Sequence, residues 1–278
     1  MMDYSNQRSW GPKPRYPFVQ SVKKNNHSLI SIAGPCSIET VGQIAEITTE
    51  LAKWNISYMR GGVYRAGTYP PDKFGLQFEL LREWHHQCKA NGIKNIVEVI
   101  DIGLLDQMEP YCDAFQVGAR QMQNYGLLAD LSQQDKPVSL KRHPGSTMDE
   151  FLGSAEYLCR HGKTNVMLIE RGSSTHMNHV RWDLSISIIP AIKQITGLPV
   201  IVDASHGTGR LDLVEPMTLA GIAAGADGYL LEVHPEPELS ISDRDQAYPL
   251  NQFGDFQVMI RAMHGLVGSR VKTTQEVE

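Results

Sequence analysis

With 278 residues, 41% of them hydrophobic and 21% charged, and no low-complexity tract, the chain can build a full core and is not a disordered protein. Its 26 Lys and Arg against 31 Asp and Glu leave a net charge of -5, so no global field favours nucleic acid or an anionic membrane, and any anion site must be local. The opening MMDYSNQRSWGPKPRYPF lacks the apolar core of a signal peptide, no run approaches the roughly 20 apolar residues of a membrane span, and Cys36, Cys88, Cys112 and Cys159 form no CxxC pair, so a cytoplasmic protein without a disulfide scaffold is expected.

In chain order, residues 1 to 27 read as an arm rich in Pro, Asn and aromatic residues. Eight β-rich runs follow: LISIAG from 29, SYMRGGVY from 57, NIVEVI from 95, AFQVGA from 114, PVSLKR from 137, NVMLIER from 165, PVIVDAS from 199 and GYLLEVH from 228. Between them lie amphipathic segments such as TVGQIAEITTELAKW and GLQFELLREWHHQCKANG, several of which end in Gly as helices commonly do. Apolar strands joined by helical crossovers argue for a parallel sheet, and eight units match a closed (β/α)8 (TIM) barrel over residues 28 to 268. No GxGxxG follows the first run, which disfavours a dinucleotide-binding fold. Residues 269 to 278 read as a polar tail.

Catalytic groups of such barrels sit at the carboxyl ends of the strands. The residues there are Cys36, Arg60, Glu98, Gln116 with Arg120, Lys141 with Arg142, Glu170 with Arg171, Asp203 with His206, and Glu232 with His234. A single charged strand end is ordinarily just solvated; a whole set of them at one barrel end points to a site. Cys36, His206, Glu232 and the later Asp243 mix thiolate, imidazole and carboxylate, a donor set suited to Mn, Fe, Co or Zn rather than to Mg or Ca. For each of them taken singly, a buried thiol or a hydrogen-bonded histidine is the simpler reading. Arg60, Arg65, Arg120, Lys141, Arg142 and Arg171 would repel one another at a common mouth unless anions bind there, which implies an anionic small molecule. His176 and His179 in HMNH have no third ligand in sight and read as a surface loop, and His85 and His86 as part of an outer helix.

These segments resemble the class I 3-deoxy-D-arabino-heptulosonate 7-phosphate (DAHP) synthases of the β type, relatives of the 3-deoxy-octulosonate 8-phosphate synthases. The resemblance spans about residues 28 to 265 and rests on AGPCSIE, MRGGVYR, QVGARQMQN, SLKR, MLIERG, PVIVDASHGTGR, AGADGYLLEVHPEPE and the SD at 242 and 243. It implies a metal-dependent aldol-like condensation of phosphoenolpyruvate with an aldose phosphate, at the head of the shikimate pathway. Cys36, His206, Glu232 and Asp243 would hold the ion, manganese first among the candidates. Arg60, Arg65, Arg120, Lys141 and Arg171 would hold phosphoenolpyruvate, with Gln116 and Ala119 as the floor and with Thr68, Arg142 and Asp203 in the substrate site. Glu98, Lys141 and His206 are the candidates for activating water, and Cys36 marks the metal-dependent branch. The family's habit also implies a homotetramer. A regulatory domain is not expected within the arm.

Departures gather in one place. Where the family reads RGGAFKPRTSP, this chain reads RGGVYRAGTYP, with Arg65 for Lys, Gly67 for Arg and Tyr69 for Ser, while Thr68 keeps register. Loss of the arginine removes a charge-assisted contact worth roughly 1.5–3 kcal/mol. Either another cation such as Lys73 or Arg142 replaces it, or the aldehyde is not erythrose 4-phosphate. The alternatives are thus another acceptor, unphosphorylated included, and, from a different class, a non-catalytic metabolite-binding barrel.

Overall fold

A computed structural model describes residues 16–23, 28–65 and 75–275, without the side chains of Arg65 and of residues beyond 268. Eight parallel strands, the last of them also paired with the two-residue strand Tyr248–Pro249, form the barrel: β1 Ile30–Gly34, β2 Tyr58–Gly61, β3 Lys94–Glu98, β4 Ala114–Val117, β5 Val138–Lys141, β6 Val166–Glu170, β7 Val200–Asp203 and β8 Gly228–His234. Each pairs with the next in sequence, and β8 returns to β1, with Ile30 opposite Gly228 and Gly34 opposite Glu232. The sheet is therefore closed, and every run expected to be a strand is one.

Closure depends on a glycine. A Cβ at Gly228 would stand 2.0 Å from the Ile30 carbonyl oxygen, so only Gly lets β8 approach β1 closely enough to pair. Gly228→Ala is expected to destabilise the protein by about 1–3 kcal/mol or more, through strain at this seam, read as a lower denaturant midpoint.

Helices fill the crossovers: α1 Pro17–Ser21 in the arm, α2 Val41–Lys53, α3 Phe78–Ala90, α4 Tyr125–Ser132, α5 Met148–Cys159, α6 Ile188–Ile195, α7 Ala204–Thr208, α8 Leu211–Ala223 and α9 Phe253–Gln275. Local chemistry starts them. Thr40 and Asn124 accept from the backbone N–H groups three residues on, and Thr147 with Glu150 makes a reciprocal capping box. The arm is docked: the Glu156 carboxylate on α5 accepts from the Phe18 and Val19 N–H groups, and Val19 is fully buried. At the other end, α9 runs on to Gln275 where a tail was expected, since nothing after Gly268 breaks a helix.

Two apolar layers sort the strand residues. Ile32, Ile96, Ala114, Met167, Ile169, Ile201 and Leu230 cluster inside the barrel, with Ile30 and Tyr58 against them. Ala33, Met59, Val97, Phe115, Val117, Val138, Leu140, Val166, Leu168, Val200, Val202, Tyr229 and Leu231 pack outward against the helices. Because side chains alternate along a strand, the interior set fixes which terminal residues also face inward: Arg60, Glu98, Gln116, Lys141, Arg171, Asp203 and Glu232. The interior turns from apolar to polar at the carboxyl end. Arg142 and Glu170, one step out of phase, face the other way.

Candidate active site

β7 ends in Asp203, whose side chain also starts α7. Its Oδ1 accepts from the His206 N–H at 3.0 Å and lies 3.0 Å from His206 Nδ1, so one carboxylate fixes both the backbone and the ring of that histidine. The Lys141 ammonium pairs with Asp203 Oδ2 at 3.0 Å. Burial alone would raise the Asp203 carboxyl, but the His206 and Lys141 charges and the His206 hydrogen bonds outweigh it and hold it well below the usual carboxylate range. Burial pushes His206 down to about 4, against the opposing pull of Asp203, so its ring is neutral at pH 7. With the hydrogen on Nδ1 directed to Asp203, Nε2 presents a lone pair.

That lone pair faces Glu232 Oε2 at 3.3 Å. Ligand atoms of Cys36, Glu232 and Asp243 lie within 4.8 Å of one another, and the Cys36 thiol donates to Asp243 Oδ2 at 3.1 Å. Burial, the Asp243 charge adding to it, lifts Glu232 to about 8, although Arg60 opposes this. Burial and the Glu232 charge likewise push the Cys36 thiol up. Glu232 Oε1 is buried with no hydrogen-bond partner among the described residues. A thiol, two carboxylates and, through Glu232, an imidazole lone pair thus lie together, a donor set of the kind that divalent transition ions take when its acidic protons are released. Of the four residues expected to hold an ion, Cys36, Glu232 and Asp243 form one cluster, and His206 stands beside Glu232.

Beside this group lies the inward ring. Arg60 is buried, its Nη1 donating to the Pro35 carbonyl at 2.7 Å while its Nε has no partner among the described residues. Gln116 donates to Glu98 at 3.4 Å and leaves its Oε1 buried without a partner among the described residues. Gly118 makes room for that carboxylate, since a Cβ there would stand 2.0 Å from Glu98 Oε1. Arg171 donates to the His206 carbonyl and stacks on Trp182, 5.6 Å from the ring centroid. Burial lowers the pKa of Lys141, with Asp203 opposing. Three cations here face Glu98, Asp203 and Glu232, so repulsion among cations is relieved internally. What calls for a ligand is the Arg60 donor and the Gln116 acceptor, both buried and unmet among the described residues.

Two expectations need correction or restriction. Arg142 does not join the mouth: its Nε and Nη2 are taken by Glu170 at 2.6 and 3.1 Å, its Nη1 by the Ser146 carbonyl at 2.9 Å. Consecutive strand residues point to opposite sides, so Lys141 and Arg142 could not both serve the interior. It is therefore no substitute for the missing arginine at Gly67. Arg120, in the turn Ala119–Gln121, is exposed. Thr68, with Gly67, Tyr69 and Lys73, lies outside the described residues, as does the Arg65 side chain.

Two participants escaped sequence reasoning. Arg181 Nη1 donates to Asp243 Oδ1 at 3.0 Å, and Gln246 Nε2 donates to Glu232 Oε2 at 2.7 Å. Both sit in loops beyond the strand ends, where no periodicity marks them. His176 and His179, in the same loop as Arg181, are exposed, as expected of a surface segment.

The model of the DAHP synthetase I family matches residues 13–267. A phospho-2-dehydro-3-deoxyheptonate aldolase of Thermotoga maritima is 36% identical over 264 residues, 95% of this chain and 78% of that protein. A 2-dehydro-3-deoxyphosphooctonate aldolase of Hydrogenovibrio crunogenus is 28% identical over 81% of this chain and 86% of its own length. The crystal structure of a DAHP synthase from T. maritima superposes with a TM-score of 0.84 at 37% identity, covering 89% of this chain and 73% of that one. A truncated form of 3-deoxy-D-arabino-heptulosonate 7-phosphate synthase from T. maritima gives 0.81 at 35% identity, covering 89% and 91%. Similarity of this extent, in sequence and in a barrel built strand for strand, makes the chain a member of the DAHP synthetase I family and, like those relatives, a transferase.

Proposed function

We propose that the chain condenses phosphoenolpyruvate with an aldose phosphate, erythrose 4-phosphate first, in a metal-dependent reaction that yields DAHP and releases phosphate. The observation carrying this reading is the adjacency of two sets at one barrel end: the donors Cys36, His206, Glu232 and Asp243, and the inward Arg60, Gln116, Lys141 and Arg171. When bound, a divalent ion supplies Lewis-acid polarisation of the aldehyde carbonyl.

The chain's own residues do the rest. Arg60, Lys141 and Arg171 hold the carboxylate and phosphate of phosphoenolpyruvate with C3 towards the aldehyde carbon. A carbon–carbon bond forms between them, the aldehyde oxygen takes a proton, water adds at C2, and the C2–O bond to phosphate breaks. His206 has both ring nitrogens engaged, Nδ1 by Asp203 and Nε2 within the donor set, so water activation falls to Glu98 or Lys141.

A second reading keeps the chemistry and changes the acceptor to an unphosphorylated aldehyde. It is favoured by the commitment of Arg142 to Glu170, which removes one cation able to replace the arginine missing at Gly67. One panel decides between them: phosphate release with Mn2+ and phosphoenolpyruvate against erythrose 4-phosphate, arabinose 5-phosphate, erythrose and arabinose, with product masses. Erythrose 4-phosphate is expected to be turned over best, and chelation to abolish turnover. Preference for a free sugar selects the second reading; turnover that survives chelation overturns metal dependence.

A further inference from the structure

Both carboxylates of the donor group are gripped from outside it on a single oxygen. Gln246, itself buried, donates to Glu232 Oε2 at 2.7 Å; Arg181 Nη1 donates to Asp243 Oδ1 at 3.0 Å and reaches Gln246 Oε1 at 3.4 Å. The remaining oxygens are Glu232 Oε1, without a partner among the described residues, and the Asp243 Oδ2 that meets Cys36. Three contacts join the four polar groups in a continuous chain: Asp243 to Arg181, Arg181 to Gln246, Gln246 to Glu232.

The backbone supports that chain at Asp243 and at Arg181. Asp243 sits at φ 52°, a left-handed conformation that a non-glycine residue keeps only where its surroundings hold it. Arg181 and Trp182 donate their N–H groups to the Thr208 and Gly207 carbonyls at 2.8 and 2.9 Å, at the end of the short helix that carries His206. One loop thus touches the elements that present two of the four donors, His206 and Asp243. A half-exposed ion pair such as Arg181–Asp243 contributes only about 0–1 kcal/mol to folding, so stability alone is a weak reason for this arrangement.

We infer that Arg181 and Gln246 form a relay outside the donor shell that orients Glu232 and Asp243 for a divalent transition ion, making the loop between β6 and α6 a positioning element of that centre. The inference rests on the proposed four-donor site. Outer partners of metal-binding carboxylates typically govern affinity by roughly 10–100-fold. Because the two residues are linked, their effects combine to less than the product of the separate ones.

The test is metal binding by the full chain, stripped and then titrated with Co2+ or Mn2+ against a competing chelator, with the cobalt absorption spectrum recorded. Arg181→Met and Gln246→Leu are each expected to weaken binding by roughly 10–100-fold and to change the cobalt ligand-field bands, with Arg181→Lys recovering part of the loss. The thermal midpoint of metal-free Arg181→Met should match that of the wild type, which separates positioning from folding. Wild-type affinity and spectrum in Arg181→Met overturn the relay while leaving the four donors standing. Absence of a thiolate-to-cobalt band in the wild-type chain overturns the four-donor site and the relay together.

Discussion

Glu170→Gln is expected to lower the thermal midpoint by roughly 6–20 °C, the largest stability effect of any single exchange near the site. Glu170 is fully buried, Arg142 nearly so, and the carboxylate takes two guanidinium donors together with the Gly172 and Ser185 N–H groups. Removing its charge leaves a buried guanidinium without a counter-ion, a loss of about 3–5 kcal/mol. Replacing both partners with apolar residues, Glu170→Leu with Arg142→Met, is expected to cost less than Glu170→Gln alone, because no unpaired charge remains. Thermal melts of the three proteins check this. A double variant as unstable as the single one would show that the pair does more than satisfy itself.

Asp203→Asn is expected to lower both metal affinity and kcat/KM by roughly 10–100-fold or more. The carboxylate keeps the hydrogen of His206 on Nδ1, so that Nε2 stays a donor, and it is the counter-ion of Lys141. The sign for lysine follows directly. Burial already lowers the Lys141 pKa and Asp203 opposes that shift, so the variant's lysine falls further and loses its proton at lower pH. If charged Lys141 binds phosphoenolpyruvate, the alkaline limb of the kcat/KM profile moves to lower pH in Asp203→Asn. An alkaline limb that stays in place would separate Lys141 from substrate binding.

The barrel was legible because its signals are local. Runs such as PVIVDAS and NVMLIER are apolar throughout, bounded by turn residues, and separated by helical periodicity, so the number and order of strands follow from pattern alone. The proximity of Cys36, Glu232 and Asp243 was legible because a thiol and carboxylates are unusual together at one barrel end. Arg142 was misplaced because charges at the strand ends were collected without their phase: in VSLKR, Ser139 and Lys141 share one side and Leu140 and Arg142 the other. Applying that alternation to each run separates Lys141 from Arg142 and Arg171 from Glu170 without coordinates. Arg181 and Gln246 lie in irregular loops and were beyond reach, because their partners are set by tertiary contact rather than by any period.

The seam between the first and last strands has a consequence for the order of events during synthesis. Cys36 follows β1, whereas Glu232 and Asp243 lie within and beyond β8, so nearly the whole chain must be made between the first donor and the last. At about 5–20 residues per second, that interval is on the order of tens of seconds, during which β1 offers an unpaired edge to its surroundings. A nascent chain can collapse early, yet it cannot hold an ion with the complete donor set until its final strand has left the ribosome and closed the ring. On the proposed four-donor site, metal capture is therefore a late step of biogenesis, and a chain cut short before Asp243 would have no means of completing it.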